Sequence, residues 1–122
     1  MSNLAPVVMF VYDRLEHTKK AIFALKNNYL AKETLLYIYS DGSKDSSSAE
    51  DVMKVREFIN NISGFKKISI IERAYNFGLA DSLIDGITSV VNKHEKLIVL
   101  EDDLITSSYF LNYMNDALNI YK

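Results

Sequence analysis

Four short runs of β-forming residues recur along the chain, and a stretch with helical apolar spacing follows each of them. The runs are 6–12 (Pro-Val-Val-Met-Phe-Val-Tyr), 34–40, 67–71 and 97–100. Branched and aromatic residues in unbroken runs of this length suit strands covered on both faces. Between them, Ile22, Leu25 and Tyr29 recur at the intervals of a helix face, as do Val52, Val55, Ile59 and Ile62. Leu79, Leu83, Ile87 and Val90 predict a third helix, and Phe110, Met114, Ala117 and Tyr121 a fourth. A βαβαβαβα order permits few folds. Parallel strands each need a crossover, the crossovers are right-handed, and helices then cover both faces of the sheet. The expected fold is an α/β, three-layer αβα domain over residues 1–122. Its sheet is four-stranded and mainly parallel, in the Rossmann-like order 3-2-1-4.

Local signals place the element ends. Pro6 opens the first strand, where its missing donor matters least. Asp13 and Glu16 have capping-box spacing for a helix running through roughly Asn27, and Ser47 and Glu50 repeat that spacing for the second helix. Gly64 is expected to end the second helix, and Thr106 or Ser107 to cap the last one. Gly86 falls inside the third helix, where glycine costs about 1 kcal/mol against alanine, which suggests close packing.

With 48% hydrophobic and 25% charged residues among 122, the chain reads as one globular domain able to bury a core. A net charge of −2 argues against a nucleic-acid or anionic-membrane binder, which would present a basic face. There is no cysteine, so disulfides and thiolate metal sites are excluded, and His17 and His94 lie far apart with no zinc-ligand spacing and read as surface residues. No run reads as a secretory leader or approaches the ~20 apolar residues of a membrane span, so a cytoplasmic protein is expected.

In an open parallel sheet, ligands bind beyond the carboxyl ends of the strands, where strand order reverses. Polar residues stand at every such end. Asp13 and Arg14 follow the first run and Asp41 the second. Arg73 and Asn76 follow the third, and Glu101, Asp102 and Asp103 the fourth. Three adjacent carboxylates repel one another unless a cation sits among them, and Mg²⁺ or Mn²⁺ takes such oxygens. The plainer alternative is a solvated acidic turn. With strands one and four adjacent, Arg14 and the triplet would face each other across one crevice, an arrangement suited to a metal carrying phosphates. Neither Gly-x-Gly-x-x-Gly nor Gly-x-x-x-x-Gly-Lys-Ser/Thr occurs, and the loop after strand one has no glycine. Dinucleotide and P-loop cradles are therefore missing, which favours a nucleotide-sugar or sugar-phosphate site.

Four segments carry a resemblance: Pro-Val-Val-Met-Phe-Val-Tyr-Asp-Arg at 6–14, Ser-Asp-Gly-Ser-Lys-Asp at 40–45, Arg-Ala-Tyr-Asn-Phe-Gly-Leu-Ala at 73–80 and Glu-Asp-Asp-Leu at 101–104. Together they resemble the nucleotide-binding half of GT-A-fold glycosyltransferases, around family 2 and the N-acetylglucosaminyltransferase I-like enzymes. The resemblance implies a metal-dependent, inverting transfer of sugar from a UDP-sugar to a saccharide or other hydroxyl acceptor. It implies that Val11 and Tyr12 line the base pocket and that Arg14 reaches the diphosphate. Asp41 would accept from the uracil imide, while Arg73, Asn76 and Gly78 close the nucleotide side. In the DXD-like triplet, Asp102 would hold the ribose or the metal's water shell, Asp103 would bind Mn²⁺ or Mg²⁺, and Glu101 would face the donor sugar.

Members of that family are considerably longer, with the general base and acceptor site beyond the metal motif. The chain is therefore expected to be a donor-binding part without turnover, and to self-associate through surface that the other half would cover. Three alternatives compete. A nucleotidyltransferase would need a glycine-rich basic loop where Asp13-Arg14-Leu15-Glu16 stands. A receiver-like signalling domain would place its paired acids after strand one. A non-catalytic nucleotide-binding or interaction domain would keep the fold without the chemistry.

Overall fold

The computed structural model describes residues 4–120. Four strands and four helices alternate: β1 (Val7–Val11), α1 (Leu15–Lys26), β2 (Leu35–Ser40), α2 (Ser46–Ile59), β3 (Lys67–Glu72), α3 (Leu79–His94), β4 (Ile98–Glu101) and α4 (Phe110–Ile120). One 3-10 turn, Ala31–Glu33, precedes β2. All strand pairs are parallel and the order is β3-β2-β1-β4, which is the α/β, Rossmann-like three-layer arrangement expected. The reversal of strand order falls between β1 and β4, the two strands that lie side by side there.

Alternation along β1 divides the core in two. Val7, Met9 and Val11 join Leu36, Ile38, Ile98 and Leu100 on one face, packed by Ala21, Ile22 and Leu25 of α1, Val55 and Ile59 of α2, and Leu111 of α4. Val8 and Phe10 point the other way, with Tyr39, against Leu83, Ile87 and Val90 of α3. Three helices thus cover one face, and α3 covers the other. Gly86 is where α3 comes closest. A Cβ there would stand 2.8 Å from the Phe10 ring and 3.2 Å from Tyr39, so the glycine does permit the close packing expected of it.

Several local expectations are corrected. β4 is not buried on both faces: it is an edge strand, and its exposures alternate, with Ile98 and Leu100 buried but Val99 36% and Glu101 openly exposed. Asp13 does not cap α1, because Arg14 occupies the N-cap position and no side chain caps it. For α2 the cap is Asp45, whose carboxylate accepts from the Ser47 and Ser48 amides, in place of Ser47. Two amides converging on one ionised acceptor satisfy more orphan donors than a serine hydroxyl can. Gly64 lies beyond the α2 end at Asn60, with φ at 104°. Tyr29 is off the α1 face and exposed, tilted against Tyr109. α4 starts at Phe110, later than Thr106 or Ser107 would place it, and it buries Leu111 and Asn115. Leu79 is exposed at the start of α3. Tyr121, expected on the α4 face, lies outside the described residues.

Candidate functional site at the carboxyl ends of the strands

Two polar side chains, one buried and one half-buried, organise the loops at the carboxyl end of the sheet. The first is Asp41, immediately after β2. Its Oδ1 accepts from the amides of Gly42 at 2.9 Å and Phe77 at 2.8 Å. Its Oδ2 accepts from the Gly78 amide at 3.1 Å and Asn76 Nδ2 at 3.2 Å. Asn76 Nδ2 also donates to the Gly42 carbonyl at 2.8 Å. Asp41 therefore clamps the β3–α3 loop onto the β2–α2 loop. Gly42 is required by that contact, since a Cβ would meet the Tyr75 carbonyl carbon at 2.5 Å. Gly78, the N-cap of α3, has φ at 81°, a left-handed conformation that glycine adopts without strain.

The second is Arg56 of α2, which no sequence pattern singled out. Its Nε donates to Ser40 Oγ at 2.9 Å, and Nη2 donates to the carbonyls of Ser40, Asp41 and Arg73 at 3.1, 3.1 and 2.9 Å. One guanidinium thus staples the carboxyl ends of β2 and β3 by donating to carbonyls of both strand ends.

Around these loops opens a cleft of about 320 Å³ at the ends of β1 and β4, within the range of small-ligand sites. Val11, Tyr12 and Arg14 line it from the β1 side and Glu101 and Asp102 from β4, with Asp41, Asn76 and Gly78 completing the wall. Eight of the ten residues singled out in the sequence thus come together. Asp13, Lys44 and Ser82 also line it. Arg14 Nη2 meets Asp102 Oδ1 at 2.7 Å, across the two strand ends as expected. That hydrogen bond, with the nearby charges of Asp102 and then of Asp103 and Asp13, holds the guanidinium still more firmly in its charged form. Asp102 is buried while Arg14 is half exposed. Tyr12 is held by its hydroxyl, which accepts from the Lys44 amide at 2.9 Å and lies 3.2 Å from Ser48 Oγ.

Two expected site residues lie elsewhere. Asp103 is exposed and does not line the cleft. The Leu104 amide donates to the Glu101 carbonyl at 3.3 Å, closing a turn in which Asp102 is buried and Asp103 is not. Arg73 is drawn to the α3 face instead. Its guanidinium lies 4.7 Å over the Tyr39 ring and 4.3 Å over Phe77, with Nη2 2.7 Å from Asp85 Oδ2. No hydrogen-bond acceptor meets its Nε among the described residues, so stacking and the Asp85 charge hold it. Glu72, its neighbour in sequence, faces Arg56 and Asn60 instead. Tyr75 stacks on Phe77 and stands clear of the cleft. His94 is half-buried, with Nε2 2.8 Å from the Tyr37 hydroxyl, whereas His17 is on the surface.

The geometry bears on the expected metal. Among the described residues no three carboxylate or imidazole groups converge. Asp102 Oδ1 already meets Arg14, so a cation arriving alone would have to settle beside a guanidinium, against its charge. Mg²⁺, however, commonly rests on one or two carboxylates plus substrate phosphates. The residues therefore fit a divalent ion only in company with an anion that takes Arg14. Asp41 is likewise committed, since a carboxylate has about four lone-pair sites and the chain fills four. The imide-accepting role expected of it would require one of these bonds to open. No protein-family model and no curated protein matches this chain.

Proposed function

We propose that this chain binds the diphosphate of a nucleotide sugar, as the donor-binding domain of a metal-dependent glycosyltransferase. The observation that carries the reading is the Arg14–Asp102 pair set in the cleft where β1 and β4 end. A diphosphate competes for the Arg14 fork and frees Asp102. Lys44 adds a second cation, and Tyr12 and Asn76 flank the space left for a nucleoside. Asp102 and the diphosphate oxygens would then hold Mg²⁺ or Mn²⁺ between them. The ion would supply stabilisation of the diphosphate as it leaves the anomeric carbon. Glu101, on the open side of the cleft, is left for the donor sugar. In the whole reaction an acceptor hydroxyl forms the new bond to that carbon while the carbon–diphosphate bond breaks. We assign the general base to none of these residues.

Titrating UDP with and without Mg²⁺ while following amide resonances tests the proposal. Shifts at Tyr12, Lys44, Asn76 and Asp102 that grow when metal is added are expected, and Mn²⁺ should broaden the same resonances. The absence of any shift at millimolar UDP, with either metal, overturns it. One observation favours a second reading. Asp102 is already neutralised by Arg14, which suits metal-independent phosphate binding by a non-catalytic domain. Shifts of equal size with and without metal would select that reading.

A further inference from the structure

Away from the cleft, α1 and α2 leave an apolar groove of about 480 Å³ between them. Ile22, Phe23, Phe58 and Ile62 form its walls, and Phe23 is 67% exposed. Lys19, Lys20 and Lys26 rim it, and no carboxylate lines it among the described residues. Glu16 lies 3.9 Å from Lys19 Nζ, whereas Lys20 and Lys26 have no carboxylate within ion-pair distance among those residues. An open apolar surface rimmed by ammonium groups, two of them unpaired among the described residues, invites apolar side chains flanked by negative charge.

The chain carries a feature of that chemistry. The turn after β4 exposes Glu101 and Asp103, and directly beyond them Leu104 and Ile105 are 47% and 69% exposed. We infer that two copies of this chain associate head to tail, the 103–105 turn of one seated in the α1–α2 groove of the other. Leu104 and Ile105 enter between Phe23 and Phe58, and the carboxylates meet Lys20 and Lys26. The two surfaces are different, so the contact is heterologous, and each pair keeps one free turn and one free groove. The buried patch is small and its charges are exposed, so association is weak and sensitive to salt.

Sedimentation of the full chain over a concentration series tests this. The average mass is expected to rise with concentration and to fall back toward the monomer in high salt. The groove variant Lys20→Glu/Phe23→Ser and the turn variant Ile105→Asp should each stay monomeric, with circular dichroism unchanged because all three positions are exposed. An equimolar mixture of the two variants should form a one-to-one dimer and nothing larger, since one supplies the turn and the other the groove. Leu104→Asn should repeat the Ile105→Asp result. A wild-type chain that stays monomeric throughout overturns the inference, as do variants that associate as the wild type does. It is equally overturned if the groove takes an acidic–apolar peptide of foreign sequence while the wild-type chain remains monomeric.

Discussion

Asp41 holds four donors at once, and that makes it the residue on which the shape of the cleft depends. Hydrogen bonds to a charged group contribute about 1.5–3 kcal/mol each, and losing one partner strands the others. Asp41→Ala should therefore destabilise the chain by on the order of 3 kcal/mol in urea unfolding. Asp41→Asn should recover only part of this, because an amide offers one acceptor oxygen. Arg14 behaves differently. It is half exposed but its partner Asp102 is buried, so Arg14→Ala should cost about 1–3 kcal/mol by leaving that carboxylate unpaired, and should abolish the UDP-induced shifts. A third residue gives a pH signature. Hydrogen bonds from Ser47, its hydroxyl foremost, hold Asp45 below its ordinary 3.8. A depressed pKa means the stabilisation is present above the unfolded value and is lost as pH falls through the folded one. The gap in Tm between wild type and Asp45→Ala should thus be open at neutral pH and close in acid. Spacing alone pointed to Ser47 for this cap, because Ser47 and Glu50 fit a known pattern. What decided the matter was which acceptor could take two amides together.

Among the elements, α3 is the one whose sequence and packing disagree most instructively. The stripe Leu79, Leu83, Ile87 and Val90 identified a helix, and a helix is there, but Leu79 is exposed and Gly86 and Ser82 are buried in its place. Periodicity reports which side chains are apolar. It does not report that two aromatic rings, Phe10 and Tyr39, come so near the helix that only a hydrogen fits. Gly86→Ala gains about 1 kcal/mol of helix propensity but forces a Cβ into the Phe10 ring, and overpacking of this kind costs about 1–3 kcal/mol. A net loss of about 1 kcal/mol in denaturant unfolding is expected, and Phe10→Leu should reverse its sign by opening the space. β4 makes a parallel point. Four branched residues in a row read as a fully covered strand, yet nothing in a run tells whether its neighbour on the far side is another strand or solvent. The carboxylates behind it were legible as a group. Their separation into one buried and two exposed side chains was not, since it follows from a turn closed by the Leu104 amide.

For the molecule as a whole, alternation of strand and helix was enough to give the parallel sheet, because handedness and connection length leave so few ways to wind such a chain, and the order expected among those few, 3-2-1-4, is the one found. The cleft followed from the same topology, which sends every β-to-α loop to one end. Arg56 and Lys44 escaped notice because a lone basic residue on a helix or loop has no periodic signature, and its meaning comes only from the carbonyls or the cleft it reaches. The uneven clothing of the sheet, three helices on one side and α3 on the other, has a consequence for motion. Native-state openings are lowest in free energy where the fewest buried contacts must part, so α3 is the segment expected to lift first. Its first turn, through Gly78, Leu79 and Ser82, is also a wall of the cleft. A ligand seated there holds α3 down, and hydrogen exchange should report it: amides of α3 should slow on adding UDP, while those of the buried central strands β1 and β2 should keep their rates. The same helix that closes the second half of the core is then a reporter of occupancy, its breathing rate reading out whether the cleft is full.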